Sequence, residues 1–170
     1  DIYCDTETDT PLSTNMFAYC ENNAINNVDF TGEWFYNFNQ YYNYYNKKYT
    51  GRTLISFKSN YKKLVNRYKS NCKVYRSAYK NHPKNDYIFD QTNAPYSSMV
   101  YGTSYSKISR VGCELIAIYN TLKYIAKGQS FVQVIAEAEM NGLPWLNGRF
   151  GTKPENIAKY LNAHKISYKK

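Results

Sequence analysis

The stretch VGCELIAIYNTLKYIAKG, residues 111–128, decides how this chain folds. Its apolar residues recur every three or four positions and cover most of a helical circumference, which predicts a helix that is buried on more than one side. Cys113 follows a glycine and falls in the first turn of that helix. Free N–H groups and the positive end of the helix dipole favour a thiolate there, so Cys113 is a candidate nucleophile. A small core residue is the alternative interpretation.

The sequence around this helix predicts further elements. Ser130 and Gln133 have the spacing of a capping box, and a third helix is predicted to begin with a second capping box at Thr152. Residues 87–89 are predicted to form a short strand, and residues 166–168 the start of another.

Charge divides the chain into three segments. Residues 1–34 carry seven acidic residues and no Lys or Arg, whereas residues 35–90 carry twelve Lys and Arg against two Asp. Residues 91–170 are again basic, and the whole chain has a formal charge of +9. Such shifts in charge and texture predict three functional units.

The middle segment combines a tyrosine-rich tract with a basic amphipathic helix. Tyr and Asn dominate residues 35–49 without a clean period, which is typical of a partly ordered linker, although such rings could also stack on bases or sugars. After this tract, apolar residues recur with helical spacing while Lys and Arg fill the other face. The stripe consists of Leu54, Phe57, Tyr61, Leu64, Tyr68, Cys72 and Tyr75. If nucleic acid is the partner, its first contacts would be Lys58, Lys62, Lys63, Arg67, Lys69 and Lys73.

The other residues of potential chemical interest are few. The four cysteines are widely spaced and form no CxxC pair, so the spacing does not indicate zinc, and the even count permits disulfides without requiring them. We expect neither a metal nor a cofactor. No window approaches the roughly 18 apolar residues of a membrane span. The chain starts at Asp1 without an export signal, so we expect an excerpt of a longer protein whose signal lies outside it.

Residues 15–32 carry a recognisable pattern of aromatic, asparagine and turn residues. The pattern resembles the C-terminal end of the core of RHS/YD-repeat proteins, a shell of β-hairpins that is followed by a variable payload. The matching residues are Asn15, Phe17, Ala18, Tyr19, Asn22, Asn23, Asn26, Asp29 and Gly32. The resemblance implies that the residues after about 34 form a C-terminal effector region, often a toxin.

The last segment resembles the first half of a papain-like fold, and more narrowly the bacteriocin-processing (C39-like) peptidases. The matching positions are Gln91, Tyr101-Gly102, Gly112-Cys113, and Gly151 with Ile157. The resemblance implies that Cys113 is the nucleophile and that Gln91, with the backbone N–H of Cys113, stabilises the oxyanion. Glu114 departs from the glycine that many relatives carry next to the cysteine.

The proton acceptor is not evident in this sequence. The papain-like order places the catalytic histidine on a strand after the helical half, and the chain stops before that strand is expected. His164 follows a predicted helix and is predicted to be a surface residue, and His82 lies in the basic segment. We therefore expect this stretch to be inactive by itself.

These inferences predict an α+β protein with three parts. Residues 1–34 are the hairpin remnant of an RHS core, residues 35–86 a Tyr/Asn-rich and basic helical linker, and residues 87–170 the helical half of a papain-like cysteine peptidase. The predicted function is a secreted or cell-surface effector, delivered to a target cell. It would act on a protein or peptide as a peptidase or a related acyl-transfer enzyme, opposed by an immunity protein.

Two other functions stay open at this point. One is a basic payload that binds nucleic acid through Lys58, Lys62, Lys63 and Arg67. The other is a structural or interaction module in which Cys113 is a core residue.

Overall fold

A computed structural model describes residues 34–79, 87–125 and 129–167. The helices are α1 (Phe38–Lys48), α2 (Gly51–Tyr79), α3 (Ile108–Val111), α4 (Cys113–Tyr124), α5 (Phe131–Met140) and α6 (Pro154–Ala163). Strands β1 (Val100–Tyr101) and β2 (Ser106–Lys107) form an antiparallel hairpin, and 3₁₀ turns span Tyr96–Ser98 and Trp145–Gly148. The fold is mixed helical with one small antiparallel sheet, which fits the α+β class. The RHS-like pattern of residues 15–32, His82 and Tyr168 lie outside the described residues.

The tyrosine-rich tract forms helix α1, so the prediction that it is only partly ordered is wrong, while its role as a linker stays a prediction. Asn37 caps the helix because its Oδ1 accepts the N–H of Gln40 at 3.0 Å. The rings pack against one another and against the first half of α2, although they follow no clean period in the sequence. The resulting aromatic cluster has a buried centre of Phe35, Tyr45, Phe57, Leu64 and Met140, surrounded by Phe38, Tyr41, Tyr42, Tyr44, Tyr49, Leu54 and Tyr61.

Helix α2 confirms the amphipathic pattern. Phe57 and Leu64 are buried in the aromatic cluster, while Tyr68, Cys72 and Tyr75 pack against the second hydrophobic cluster. That second cluster, here called the central core, is mostly aliphatic and gathers α3, α4, α5 and the hairpin. The central core contains Ile88, Met99, Tyr101, Ile108, Val111, Leu115, Ile116, Ile118, Tyr119, Leu122, Phe131, Val132, Val134, Ile135, Ala138, Leu143 and Tyr160.

The predicted start of α5 is confirmed, whereas the predicted start of α6 is wrong. Ser130 and Gln133 make both hydrogen bonds of the capping box at the start of α5. At α6 the predicted capping box is absent, because Thr152 is buried in an isolated β-bridge with Pro144 and the helix begins at Pro154. Proline at this first helical position needs no hydrogen bond from its nitrogen.

Three asparagine side chains take the place of strand partners. Asn71 pairs with both the N–H and the C=O of Val100, each at 2.9 Å. Asn120 pairs in the same way with Ile88, and Asn141 with Phe35. Each amide satisfies a donor and an acceptor that would otherwise be left without a partner.

The strand predictions at 87–89 and 166–168 are not confirmed in the residues described. Residues 87–90 and 166–167 have no regular secondary structure. Ile88 is nevertheless buried, since the side chain of Asn120 supplies the two hydrogen bonds of a strand neighbour.

A buried ion pair joins α2 to α5. The guanidinium of Arg67 donates through Nε and Nη2 to the carboxylate of Glu139, and both side chains are 4% exposed. The N–H of Gly102 donates to the same carboxylate at 2.9 Å, so the hairpin joins this contact. The helix of the basic segment therefore packs directly on the elements that follow residue 87. The proposed domain boundary at residue 86 stays a prediction.

Candidate active site

Cys113 is the first residue of α4, directly after a tight junction with α3. A Cβ at Gly112 would lie 2.4 Å from the Cγ2 of Ile108 and 2.6 Å from its carbonyl oxygen, so only glycine fits this junction. The N–H of Gly112 donates to Ile108 O, and that of Ile116 donates to Gly112 O, each at 2.9 Å. The junction places a half-buried thiol at the amino end of a helix that buries Leu115, Ile116, Ile118, Tyr119 and Leu122 in the central core.

The thiol is held in its protonated form. Its Sγ donates to Oε2 of Glu114 at 3.0 Å. Burial raises the pKa of the Cys113 thiol to about 12, and the hydrogen bond and negative charge of Glu114 add to the rise. The position of Cys113 at the start of a helix predicts the opposite, a lowered pKa. The amino end of a helix offers roughly half a positive charge, whereas the carboxylate places a full negative charge in contact with the sulfur.

Gly151 brings a distant loop to the same carboxylate. It has a φ of +80°, and a Cβ there would lie 3.0 Å from Oε2 and 3.3 Å from Oε1 of Glu114. Glycine thus meets both needs at this position, the left-handed backbone and the close approach. The structure therefore brings together Gly112, Cys113 and Gly151, three of the positions singled out in the sequence.

Gln91 lies beside the segment that leads into the thiol. Its Nε2 donates to Ser109 O at 3.0 Å, one turn before Cys113, and its Oε1 is buried without a described hydrogen-bond partner. One amide N–H of Gln91 therefore donates to the backbone of α3. The oxyanion role of Gln91 stays a prediction.

Tyr101 and Gly102, which belong to the same resemblance, have structural roles here. The hydroxyl of Tyr101 is fully buried and lies 3.3 Å from Oγ1 of Thr152. Gly102 has a φ of +70°, and a Cβ there would lie 2.1 Å from Asn147 O. The two residues fix the hairpin against the segment 147–152. Trp145 is buried in the 3₁₀ turn Trp145–Gly148 and packs with Phe150.

His164 is not a surface residue, so that prediction is wrong. Its side chain is 9% exposed, and its Nε2 lies 2.7 Å from Oε1 of Glu137. Its ring stacks on Tyr160 with centroids 4.5 Å apart. The nitrogen that would be needed as a base is therefore engaged by a buried carboxylate.

Glu137 and Trp34 were missed in the sequence. Glu137 is 3% exposed and accepts the indole N–H of Trp34 at 2.6 Å and the hydroxyl of Tyr160 at 3.2 Å, in addition to its contact with His164. A signal was present, since Glu137 and Glu139 both interrupt the apolar run FVQVIAEAEM of α5. Acidic residues inside such a run indicate buried carboxylates that need partners.

Within residues 34–79, 87–125 and 129–167, no group of three or more His, Cys, Asp and Glu side chains is arranged to hold a metal ion. None of the helices in that part of the chain is both long and apolar enough to cross a bilayer. No protein-family model, curated protein or solved structure matches this chain.

Proposed function

We propose that this chain is the C-terminal effector region of an RHS-type protein, and that Cys113 is the nucleophile of a papain-like cysteine peptidase or a related acyl transferase. The observation that carries the proposal is the half-buried thiol at the start of α4, behind a junction that only glycine can form. The approach of Gly151 and the anchoring of Gln91 beside α3 support it, because both positions belong to the same resemblance.

The chemistry requires a thiol nucleophile, a base and two hydrogen-bond donors for the oxyanion. A base takes the proton of Cys113, and the sulfur forms a bond to the substrate carbonyl carbon, whose electron pair moves to the oxygen. The oxyanion is stabilised by the N–H of Cys113 and the free amide hydrogen of Gln91. The amine then leaves with the proton returned by the base, and water hydrolyses the thioester. Deamidation and transglutamination share the first of these steps.

Glu114 keeps the resting enzyme unreactive in this proposal. Its carboxylate keeps the thiol protonated, so attack requires a base that competes with this hydrogen bond. In papain-like peptidases the base is a histidine that follows the helical half, and we propose the same origin here. The substrate is a protein or peptide of the target cell, and an immunity protein would protect the producer.

The protonated thiol also favours one rival function. A cysteine whose pKa lies near 12 reacts slowly at neutral pH, as expected for a non-catalytic module in which Cys113 only packs. The two functions differ in what the change Cys113→Ala removes. The peptidase loses activity and keeps its fold, whereas the packing module loses stability alone.

The test uses the full-length protein and two matched variants. Cytoplasmic expression in bacteria is expected to slow growth, and Cys113→Ala is expected to abolish the effect. Cys72→Ala, which changes the other described free cysteine, is expected to retain it. A peptide vinyl sulfone is expected to modify Cys113 in preference to Cys72, as mapped by mass spectrometry. Equal toxicity of the wild type and Cys113→Ala would exclude the proposal.

The roles of Glu114 and Gln91 are tested separately. Glu114→Gln removes the negative charge, so we expect a lower pKa of Cys113 and faster alkylation by iodoacetamide at pH 8. Gln91→Ala is expected to lower kcat with little change in KM if it binds the oxyanion. A lower melting temperature with unchanged kcat would instead assign Gln91 to the α3 contact alone.

A further inference from the structure

One exposed face of α2 carries an aligned row of cations. At about 100° per residue, Lys58, Lys62, Lys69, Lys73 and Arg76 fall within a sector of about 60°, here called the cationic stripe. All five side chains are exposed. The row extends over about 27 Å, given a rise of about 1.5 Å per residue. It lies on a single helix, so the Cα positions of the five residues are fixed relative to one another.

The structure changes the set of cations that the sequence offered. Arg67 points inward to Glu139 and is 4% exposed, so its prediction as a nucleic-acid contact is wrong. Lys63 is exposed but lies about 80° around the helix from the nearest member of the stripe. Arg76 joins the stripe, although it was not among the candidates.

Nothing in the described part of the chain neutralises the stripe. Helix α2 contains no Asp or Glu, and the described ion pairs are Arg67–Glu139, Lys153–Glu155 and His164–Glu137. Five parallel cations without counter-charges repel one another and attract a polyanion. The partner that the stripe fits is therefore a regular array of negative charges.

The apolar face of α2 decides against a membrane as that partner. A helix that lies on a bilayer inserts its apolar face into the lipid. In α2 the apolar face is covered by other parts of the chain, because Phe57 and Leu64 are buried in the aromatic cluster and Tyr68 and Cys72 pack on the central core. Among the described side chains of α2, the large apolar one that is exposed is Ile55.

The position of the aromatic rings favours a duplex over a single strand. Proteins that bind single strands stack bases on exposed rings next to a basic groove. The tyrosines of α1 pack instead within the aromatic cluster. The described rings of α2 itself are also buried or half-buried, so the cationic stripe has no exposed ring on its own helix among them. A row of cations of this kind suits the phosphate backbone of a double helix.

We propose that the cationic stripe of α2 binds the phosphate backbone of double-stranded nucleic acid without reading its sequence. Five phosphate contacts predict a slope of about −4.5 for log K against log salt, which is an affinity loss of about 500-fold between 50 and 200 mM salt. This inference does not depend on the chemistry of Cys113, and Cys113→Ala is expected to bind with the same affinity.

The test measures fluorescence anisotropy of a 20-base-pair DNA of mixed sequence with the full chain over a range of salt. Lys62→Gln with Lys69→Gln removes two cations of the stripe and is expected to reduce the slope by about 1.8. The matched control, Arg52→Gln with Lys63→Gln, removes two exposed cations of the same helix outside the stripe. It is expected to keep the wild-type slope within about 0.5. Circular dichroism checks that both variants fold.

Three results would overturn the inference. The first is binding that does not depend on salt. The second is an equal loss of slope in the two double variants, which would reduce the effect to net charge. The third is stronger binding to phosphatidylserine vesicles or to a single strand of the same length, which would assign the stripe to another partner.

Discussion

The aromatic cluster and the central core bury their side chains in different ways. In the central core, aliphatic residues such as Leu115, Leu122 and Val134 are completely buried. In the aromatic cluster, many rings are only partly buried and meet at varied angles, from 23° between Tyr45 and Tyr49 to 90° between Tyr44 and Tyr45. Because each tyrosine ring covers a large apolar area, a tract without helical period still makes a hydrophobic contact.

The two clusters meet at α5. Glu139 on this helix pairs with Arg67 of α2, and Asn141 just after it pairs with the backbone of Phe35. Met140 lies between them in the aromatic cluster, while most of α5 faces the central core. These polar contacts form the boundary between the two clusters, here called the seam. We therefore expect them to decide whether the clusters unfold together.

The largest effect is expected from breaking the ion pair at the seam. Glu139→Ala leaves the guanidinium of Arg67 buried without its partner, which is expected to lower the free energy of unfolding by about 3–5 kcal/mol. Urea unfolding followed by tryptophan fluorescence and by circular dichroism measures the loss. The unfolding midpoints measured by the two signals are expected to differ if the clusters no longer unfold together.

Glu155→Ala provides the control for this change. Glu155 is a 55% exposed partner of Lys153 at 3.8 Å, and its loss is expected to cost less than about 0.5 kcal/mol. Equal costs for the two substitutions would mean that the seam does not hold the clusters together.

The same substitution in each cluster compares their packing. Leu122 in the central core is 0% exposed, and Leu64 in the aromatic cluster is 5% exposed. Leucine-to-alanine changes in cores cost about 2–5 kcal/mol, depending on how far the site collapses. Leu122→Ala is expected near the upper end and Leu64→Ala near the lower end, because partly exposed tyrosines have room to move into the space. Urea denaturation of both variants checks the order, and a costlier Leu64→Ala would reverse our comparison.

A smaller effect is expected at the asparagine that ties Phe35 to α5. Asn141→Ala leaves a buried N–H and a buried C=O without their side-chain partner, at a cost of about 2 kcal/mol. Asn66→Ala, an exposed asparagine on α2, is the control and is expected to change stability by less than about 0.5 kcal/mol. Thermal melts of the two variants compare them. A loss of stability no greater than that of the control would show that the pairing of Asn141 with Phe35 contributes nothing to stability.

The last effect appears only at alkaline pH. Burial raises the pKa of Tyr41 from 10.0 to about 12 and that of the Cys113 thiol from 9.0 to about 12. The folded state therefore keeps protons that the unfolded chain releases first. Their contribution is complete below about pH 9, and stability is expected to fall as the pH rises from 9 to 12. Tyr41→Phe is expected to flatten the upper part of this decline in denaturation midpoints, and an unchanged profile would contradict the burial of its hydroxyl.

Local patterns in the sequence predicted much of the helical framework. The apolar spacing of residues 111–128 predicted α4, the spacing in α2 predicted its inward face, and Ser130 with Gln133 predicted the start of α5. Each of these features depends on residues within a few turns of one another. The start of α6 failed because Thr152 pairs with Pro144 across a loop instead of capping the helix.

The candidate site was predicted in part. Gly112 and Cys113 were found because their spacing is local, and Gly151 because of the resemblance. The protonation of the thiol was not found, since it depends on burial and on the side-chain direction of Glu114. His164 was misplaced because its partners, Glu137 and Trp34, lie 27 and 130 positions away in the sequence.

The sequence by itself determined which faces of the helices are apolar, where the basic charge is concentrated, and which cysteine opens the buried helix. Tertiary structure alone decided which charges are buried and with what partner. Arg67 became a core residue while Lys62 and Lys69 stayed on the surface, although all three belong to one basic run. The physical reason is that the free energy of a charge depends on the groups within a few ångströms, and the fold draws those groups from distant parts of the chain.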